Sequence, residues 1–351
     1  MIRMREGGPM TRGRQRETGR QEWALPDVED VLASAVAVRL PMRTRFRGLT
    51  ARETMIFAGP AGWGEFGPFV EYDDKEASSW LRAGLEAAWV GPPAAVRETV
   101  PVNATVPAIP ADDVAALLER YPGAGTAKVK VAEPGQTLDD DVARVAATRV
   151  VIDRVRVDAN GGWTVDEAVA ALRAIGDVEY AEQPCRTVEE LAAVRRAVSV
   201  PIAADESIRK AEDPYRVVAA DAADVAVVKV APLGGMRATL DLADDLGLEI
   251  VVSSALDSAV GMAAGVAAAA ALPRLELACG LGTGSLLTAD VAASFQMVDG
   301  TVGVRWFGPG ASVETAELAV GPDRQHWWRE RVRRCHRLLA ARWNVDAHTA
   351  R

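Results

Sequence analysis

The sequence predicts an α/β fold in which a closed parallel barrel follows a smaller α+β domain. From about residue 100 onwards, eight apolar, β-branched runs alternate with helical patterns, and eight parallel strands are the number that closes a barrel. A polar residue follows five successive runs at a nearly constant interval: Asp158, Glu182, Asp205, Lys229 and Ser253 are 24, 23, 24 and 24 residues apart. One strand, one helix and two short loops occupy about that length, so these residues are expected at one mouth of the barrel.

The composition agrees with such a fold and argues against several other classes of protein. Of the 351 residues, 49% are hydrophobic and 25% are charged, as in an ordinary globular enzyme. The net charge of −9 argues against a nucleic-acid partner, and the apolar runs are too short to predict a membrane span. Three widely spaced cysteines favour a reducing, cytoplasmic compartment. The oligomeric state is left open.

The first hundred residues differ in pattern from the rest. Residues 1–21 are basic and polar, and we predict that they form a disordered N-terminal extension. Residues 22–100 combine strand-like runs, turn residues and the helical pattern "EASSWLRAGLEAAWVG", which predicts an α+β capping domain. Residues 322–351 have the pattern of a basic amphipathic helix and are expected to complete this domain, which leaves residues 101–321 for the barrel.

The barrel strands and two of the helix starts can be located in the sequence. Thr164 stands three residues before Glu167, and Thr187 three before Glu190, which predicts a capping box at the start of each following helix. The predicted strands lie in the runs "PVNATVPA", "AKVKVAE", "RVRVDANGGW", "VEYAEQPC", "PIAADESI", "VAVVKVAP", "EIVVSSALDS" and "RLELACGLGTG".

Three acids occupy equivalent positions at the ends of neighbouring strands. Asp158, Glu182 and Asp205 are expected within a few ångströms of one another, and three carboxylates brought so close require a cation. The only histidines lie in the last segment of the chain, so the available ligands are oxygens. Oxygen ligands predict Mg²⁺, with Mn²⁺ as a substitute. Asn160 and Glu206 are expected to support these ligands.

Lysine is rare in this chain, and its positions indicate chemistry. Only five of the 40 Lys and Arg residues are lysines. Lys128 and Lys130 occupy alternate positions of one predicted strand and should point to the same side, whereas Lys229 comes from the opposite wall of the barrel. Arginine does not lose its proton in proteins, but lysine near a cation can act as a base. These lysines therefore predict proton transfer.

A base, a divalent ion and an opposing lysine suit the removal of a proton α to a carboxylate. The enediolate that forms carries negative charge on oxygen, which the ion and a cationic amine both stabilise. The predicted partner is therefore a small-molecule carboxylate.

The motifs "KVK", "DANGGW", "AEQP", "ADES" and "VVKVAPLGG" resemble those of the enolase superfamily, in its muconate-lactonising subgroup, over residues 22–320. The resemblance implies a modified TIM barrel of the (β/α)7β type with an N-terminal α+β capping domain. Within the subgroup, "PMRTRFRG", "GWGEFGPFVEYDD" and "PVNATVPA" resemble segments of the o-succinylbenzoate synthases. The activity so implied is a hydro-lyase step of menaquinone biosynthesis, the magnesium-dependent syn dehydration of 2-succinyl-6-hydroxy-2,4-cyclohexadiene-1-carboxylate.

The resemblance also implies a role for each residue of the site. Lys130 would take the α-proton and then protonate the departing hydroxyl, Lys128 would orient the substrate carboxylate, and Lys229 would stabilise the enediolate. The other implied roles are metal binding by Asp158, Glu182 and Asp205, and substrate binding by Arg156, Ser253, Ser254 and the "GLGTG" turn, with Gly280 and the region from Gly282 to Gly284.

Three other functions remain open on the sequence alone. An N-succinylamino acid racemase, or a bifunctional enzyme, would need the same two opposed lysines, Lys130 and Lys229. A non-catalytic binding barrel would be expected to lack at least one of the key groups, yet all of them are present. A Schiff-base aldolase would leave the three acids unexplained.

Overall fold

The computed structural model describes residues 23–46, 48–209 and 213–349, so the predicted extension over residues 1–21 lies outside the described residues. The strands are β1 (Val36–Phe46), β2 (Leu49–Gly59), β3 (Gly62–Phe66), β4 (Thr99–Pro101), β5 (Ala104–Val106), β6 (Thr126–Lys130), β7 (Arg154–Asp158), β8 (Ala181–Glu182), β9 (Ile202–Ala204), β10 (Val225–Val228), β11 (Glu249–Val252), β12 (Met297–Val298) and β13 (Thr301–Gly303). The α-helices are α1 (Val28–Ala33), α2 (Asp74–Trp89), α3 (Val114–Leu118), α4 (Leu138–Arg149), α5 (Val165–Ile175), α6 (Val188–Ala197), α7 (Asp213–Ala219), α8 (Val230–Leu233), α9 (Met236–Leu246), α10 (Ala259–Ala271) and α11 (Pro322–Thr349).

The N-terminal part is a three-stranded antiparallel sheet covered by helices. The strand order is β1-β2-β3, and α2 packs closely on β3. The close packing requires glycine, because a Cβ at Gly64 would collide with the carbonyl oxygen of Gly84 in α2. The C-terminal helix α11 returns to this sheet and buries Trp328 and Val332 in the same core as Val31 and Phe66. We refer to this unit as the cap.

The second part is a curled parallel sheet of seven strands in the order β11-β10-β9-β8-β7-β6-β5. Its two edges meet at residues 279 and 280, because Cys279 pairs with Val102 and Gly280 pairs with Ser253, each in a parallel bridge. The predicted α/β class, with a barrel after an N-terminal α+β domain, is confirmed. The exact boundaries at residues 100 and 321 stay a prediction.

Two of the eight predicted strands differ from the prediction. The run "RLELACGLGTG" contributes two isolated bridges and no extended strand, since its glycines have no side chains to pack on a sheet. The run "PVNATVPA" divides into β4 and β5. The first of these joins β12 and β13 in a small antiparallel sheet, and only β5 belongs to the barrel.

The helices begin as the sequence predicts. The side chains of Thr164 and Thr187 accept hydrogen bonds from the amides of Glu167 and Glu190, and both capping boxes are complete. Thr137 caps α4 in the same way, with Asp140 as the reciprocal residue. Within the described part of the chain, every helix is too short or too polar to cross a membrane.

Candidate active site

The three acids lie together at one mouth of the barrel. Asp158 and Glu182 are the last residues of β7 and β8 and are register partners, and Asp205 follows β9 directly. Their exposed fractions are 0%, 1% and 2%. Buried strands with small or β-branched residues, such as "IAA" in β9, fix the backbone, so the sheet itself places the three carboxylates side by side.

The lysines contact these acids from two sides. Lys128 Nζ lies 2.6 Å from Glu182 Oε1 and 3.2 Å from Asp158 Oδ2, and Lys130 Nζ lies 2.5 Å from Asp158 Oδ2. Lys229, which follows β10, pairs with Asp205 across the site. Three strands separate β6 from β10, so the lysines come from different walls and their amines converge on the acids between them.

The charges of the cluster shift the pKa values of its members in opposite directions. Burial lowers the pKa of Lys128, but Glu182 and Asp158 outweigh it and hold that pKa above its ordinary value. Burial raises the pKa of Asp158, but Lys130 and Lys128 hold it well below its usual range. Burial, with the charge of Asp158, raises the pKa of Glu182 to about 7. The lysines therefore compensate the charge of Glu182 less than that of Asp158.

A pocket opens over the cluster, and hydroxyl groups form the wall opposite the acids. Ser253 and Ser254 line it, together with Thr283 of the "GLGTG" turn and with Thr105, which the sequence did not indicate. The hydroxyls of Ser254 and Thr283 are hydrogen-bonded to each other. The pocket thus has a charged side and a hydroxyl side, which suits a substrate with one reacting end and one polar tail.

The two residues predicted to support the acids, Asn160 and Glu206, connect the ends of β7 and β9, on either side of β8. Asn160 donates its amide to Asp158 Oδ1 at 3.0 Å and its side-chain Nδ2 to Glu206 Oε1 at 3.2 Å, and its Oδ1 accepts from Lys130 Nζ at 2.5 Å. Asn160 has a φ of 47°, in the left-handed region that asparagine tolerates better than most residues. This backbone turn directs the side chain back towards β7 and β9.

Two predicted substrate contacts need correction. Arg156 is fully buried, and its guanidinium donates to Glu179, to the Ala278 carbonyl oxygen at 2.6 Å and to Asn103 Oδ1 at 3.4 Å. It shares a face of β7 with Asp158 but lies two residues deeper, inside the barrel. Gly282 packs against the carbonyl oxygen of Asn103 and the ring of Tyr121. Gly280 and Thr283 of the same predicted turn do line the pocket.

Comparison with known proteins assigns this arrangement to a family. Residues 112–319 match the family model described as enolase C-terminal domain-like, and residues 37–88 match the model described as enolase N-terminal domain-like. The chain belongs to the enolase superfamily. It is 59% identical over 318 residues to o-succinylbenzoate synthase of Mycolicibacterium smegmatis (90% of this chain, 99% of that one), and 58% identical over 318 residues to o-succinylbenzoate synthase of Mycobacterium tuberculosis H37Rv (90% and 97%).

Solved structures of the superfamily agree on the fold. The muconate lactonizing enzyme from Pseudomonas putida superposes with a TM-score of 0.69 at 21% identity, covering 82% of this chain and 98% of that one. At this identity the likeness describes the fold alone. The matched part is 82% of this chain, which is too much for the barrel alone to account for.

Members of the enolase superfamily generally use a divalent metal ion, and the acids of this chain fit one. Oε2 of Glu182 is buried without a hydrogen-bond partner, and three carboxylates from adjacent strands offer only hard oxygen ligands. Among the described residues, no group of three His, Cys, Asp or Glu side chains is already arranged around a common point, because lysine amines lie between the carboxylates. The lysines reduce the repulsion between the carboxylates, whose oxygens remain the donor atoms for a divalent ion.

Two further residues contact the acid and lysine segments of this enolase-superfamily site and were not predicted from the sequence. Gln183 is buried, and its Oε1 accepts from the amides of Asp205 (3.0 Å) and Ser207 (3.2 Å), which fixes the chain where Asp205 leaves β9. Arg144 of α4 donates to the carbonyl oxygen of Lys130 at 2.8 Å. The "AEQP" motif contains Gln183, but nothing in its spacing indicates that an amide should support an acid 22 residues later.

Proposed function

We propose that this protein is an o-succinylbenzoate synthase, a hydro-lyase that converts 2-succinyl-6-hydroxy-2,4-cyclohexadiene-1-carboxylate to o-succinylbenzoate. The observation that carries the proposal is the convergence of Lys130 and Lys229 from different walls onto one acid cluster. The identity of 59% to a curated synthase, over nearly its whole length, supports the choice of reaction.

The residues of the site have the chemistry that this dehydration requires. The amine of Lys130 takes the proton α to the carboxylate, and the same group returns it to the hydroxyl that leaves from the same face of the ring. One C–H bond and one C–O bond break, water departs, and the ring becomes aromatic. Lys128 holds the carboxylate, and the cationic Lys229 stabilises the enediolate from the other side.

Mg²⁺ is the proposed cofactor, with Asp158, Glu182 and Asp205 as the residues that would hold it. The bound ion supplies Lewis-acid stabilisation of the carboxylate oxygens as they gain charge. Ser253 and Ser254, with Thr283, are proposed to contact the succinyl tail. The proposal places the reaction in menaquinone biosynthesis, in the cytoplasm.

The test is a comparison of two substrate classes on the same purified protein. With Mg²⁺, the cyclohexadiene substrate should yield o-succinylbenzoate, EDTA should abolish the reaction, and added Mg²⁺ should restore it. N-succinylamino acids, assayed by loss of optical rotation, should be poorer substrates. A higher kcat/KM for the N-succinylamino acids would reverse the assignment in favour of a racemase, for which the two opposed lysines are equally suited.

A further inference from the structure

The guanidinium of Arg209, which follows the "ADES" motif, donates hydrogen bonds to both oxygens of the Asp205 carboxylate. Its Nε lies 3.3 Å from Asp205 Oδ1 and its Nη2 lies 3.1 Å from Asp205 Oδ2. The same Nη2 lies 2.6 Å from Glu206 Oε1. Such a two-point contact restricts the rotation of the carboxylate, which a single hydrogen bond would leave free.

The backbone and the carboxylate of Asp205 are thus held by different residues. Gln183 fixes the backbone through the Asp205 amide, as described above, and Arg209 fixes the side chain. Only 13% of the Arg209 side chain is exposed, and it is ordered by four contacts to three different residues. A freely solvated arginine would provide no such restraint.

The fourth contact of Arg209 reaches out of the barrel into the cap. Its Nη1 donates to the hydroxyl of Tyr72 at 3.1 Å. Tyr72 is itself held firmly, because its ring packs edge-on against Phe69, with centroids 5.7 Å apart, and its carbonyl oxygen accepts from Arg331 of α11 at 2.6 Å. Tyr72 of the cap therefore contacts the same guanidinium that contacts Asp205 at the barrel mouth.

We infer that Arg209 is a positioning residue that orients Asp205 for metal binding, and that Tyr72 of the cap holds Arg209 in place. The inference rests on the metal site proposed above. Residues that orient a metal ligand without touching the ion commonly change metal affinity when they are substituted, by about 10- to 100-fold.

The informative substitution is Arg209→Lys, because it keeps the positive charge near Asp205 and removes the two-point contact. A change in Mg²⁺ affinity then reports lost orientation and not altered charge. The matched control is Arg216→Lys. Arg216 lies nearby in α7, is 63% exposed, and pairs with the exposed Glu189, away from the acids.

The experiment is a titration of metal-free full-length protein with Mg²⁺ by isothermal calorimetry, without substrate. R209K should raise the dissociation constant by about 10-fold or more, R216K should leave it unchanged, and thermal unfolding of the metal-free proteins should show both variants folded. Tyr72→Phe, which deletes only the hydroxyl, should raise the constant by about 2- to 10-fold and decides the question if R209K does not fold.

The outcomes separate this inference from the proposed function. Unchanged affinity in R209K, or in Y72F should R209K not fold, would overturn the role of Arg209. A parent protein that binds no Mg²⁺ would overturn the metal site and the inference with it. A parent that binds Mg²⁺ but does not dehydrate the cyclohexadiene substrate would overturn the function while the affinities still decide the inference.

Discussion

Lysines and arginines occupy different positions around the acids of the barrel mouth. Lysines contact the acids of the barrel mouth, as Lys128, Lys130 and Lys229 do. Two arginines form permanent contacts around them. Arg144 donates to the carbonyl oxygen of Lys130 at the end of β6, and Arg209 pairs with the carboxylate of Asp205. Because the arginine guanidinium keeps its proton, it suits permanent pairing, whereas the lysine amine can both release and accept one.

Replacement of Lys130 tests whether its amine transfers the proton. Lys130→Ala should lower kcat for dehydration by about 10²- to 10⁴-fold, the usual contribution of a general acid–base group. Lys130→Arg should be nearly as impaired, because it restores the charge without a base. The control is Lys75→Ala, at an exposed lysine of α2, which should keep the parent rate. An active K130R would show that Lys130 acts through its charge.

Asp257, in the loop after β11, has a titrating carboxyl near Glu65 of the cap. Burial, with the nearby charge of Glu65, raises the pKa of Asp257 to about 7. Below that pH the folded protein binds a proton that the unfolded chain takes up only near its ordinary pKa of 3.8. The charged Asp257 therefore lowers the free energy of unfolding most above pH 7. This loss of stability declines as the pH falls from about 7 towards 3.8.

Asp257→Asn should accordingly stabilise the protein at pH 8, because the amide carries no charge and can still accept from the Ala255 amide. We expect the unfolding midpoint of D257N to rise by roughly 1 to 3 °C at pH 8, with a smaller gain at pH 5. Asp153→Asn, on an exposed loop, is the control for loss of one negative charge. An equal gain at both pH values would contradict the assigned pKa.

At the scale of elements, local patterns predicted what depends on local interactions. The capping boxes at Thr164 and Thr187 need only residues three positions apart, and both are present. The closing contacts of the barrel depend on partners far apart in the chain: Cys279 meets Val102, and β13 pairs with β4. No periodicity within either segment reveals such a partner, so the sequence could not predict the small antiparallel sheet or the reduction of the eighth predicted strand to two bridges.

The capping box of α5 provides a test at this scale. Thr164→Ala removes the acceptor for the Glu167 amide and should cost about 1 kcal/mol of unfolding free energy, or about 2 to 4 °C in the unfolding midpoint. Thr164→Ser keeps the hydroxyl and should recover most of the loss. Equal destabilisation by both variants would locate the effect in the lost methyl group and not in the cap.

For the whole molecule, the sequence predicted the barrel side of the site better than the cap side. The acids and lysines come from successive strands of one sheet, so a regular interval in the sequence becomes a cluster in space. The contacts of the cap follow no such interval. Glu65 accepts from the amide of Ser258, 193 residues away, and Tyr72 accepts from Arg209, 137 residues away. These contacts depend on how the surfaces of the cap and the barrel fit together.

The cap core itself reaches into the barrel. Trp328 of α11 is fully buried, 5.8 Å from Phe66 between ring centroids, and the cluster they belong to includes Ala255. Ala255 directly follows Ser254, which lines the pocket. Because one apolar cluster spans the cap, the C-terminal helix and this loop of the barrel, the cap and the barrel should unfold together.

Trp328→Ala should therefore lower the midpoint temperature of a single calorimetric transition, in which the cap and the barrel unfold together. Removal of a buried tryptophan costs about 3 to 5 kcal/mol, which corresponds to a fall of roughly 6 to 10 °C or more in the midpoint. Trp327→Ala is the matched control, because its ring is only partly buried and its loss should cost less. Two transitions in W328A, with only the one at lower temperature shifted, would show that the barrel is stable without the cap and would contradict the prediction.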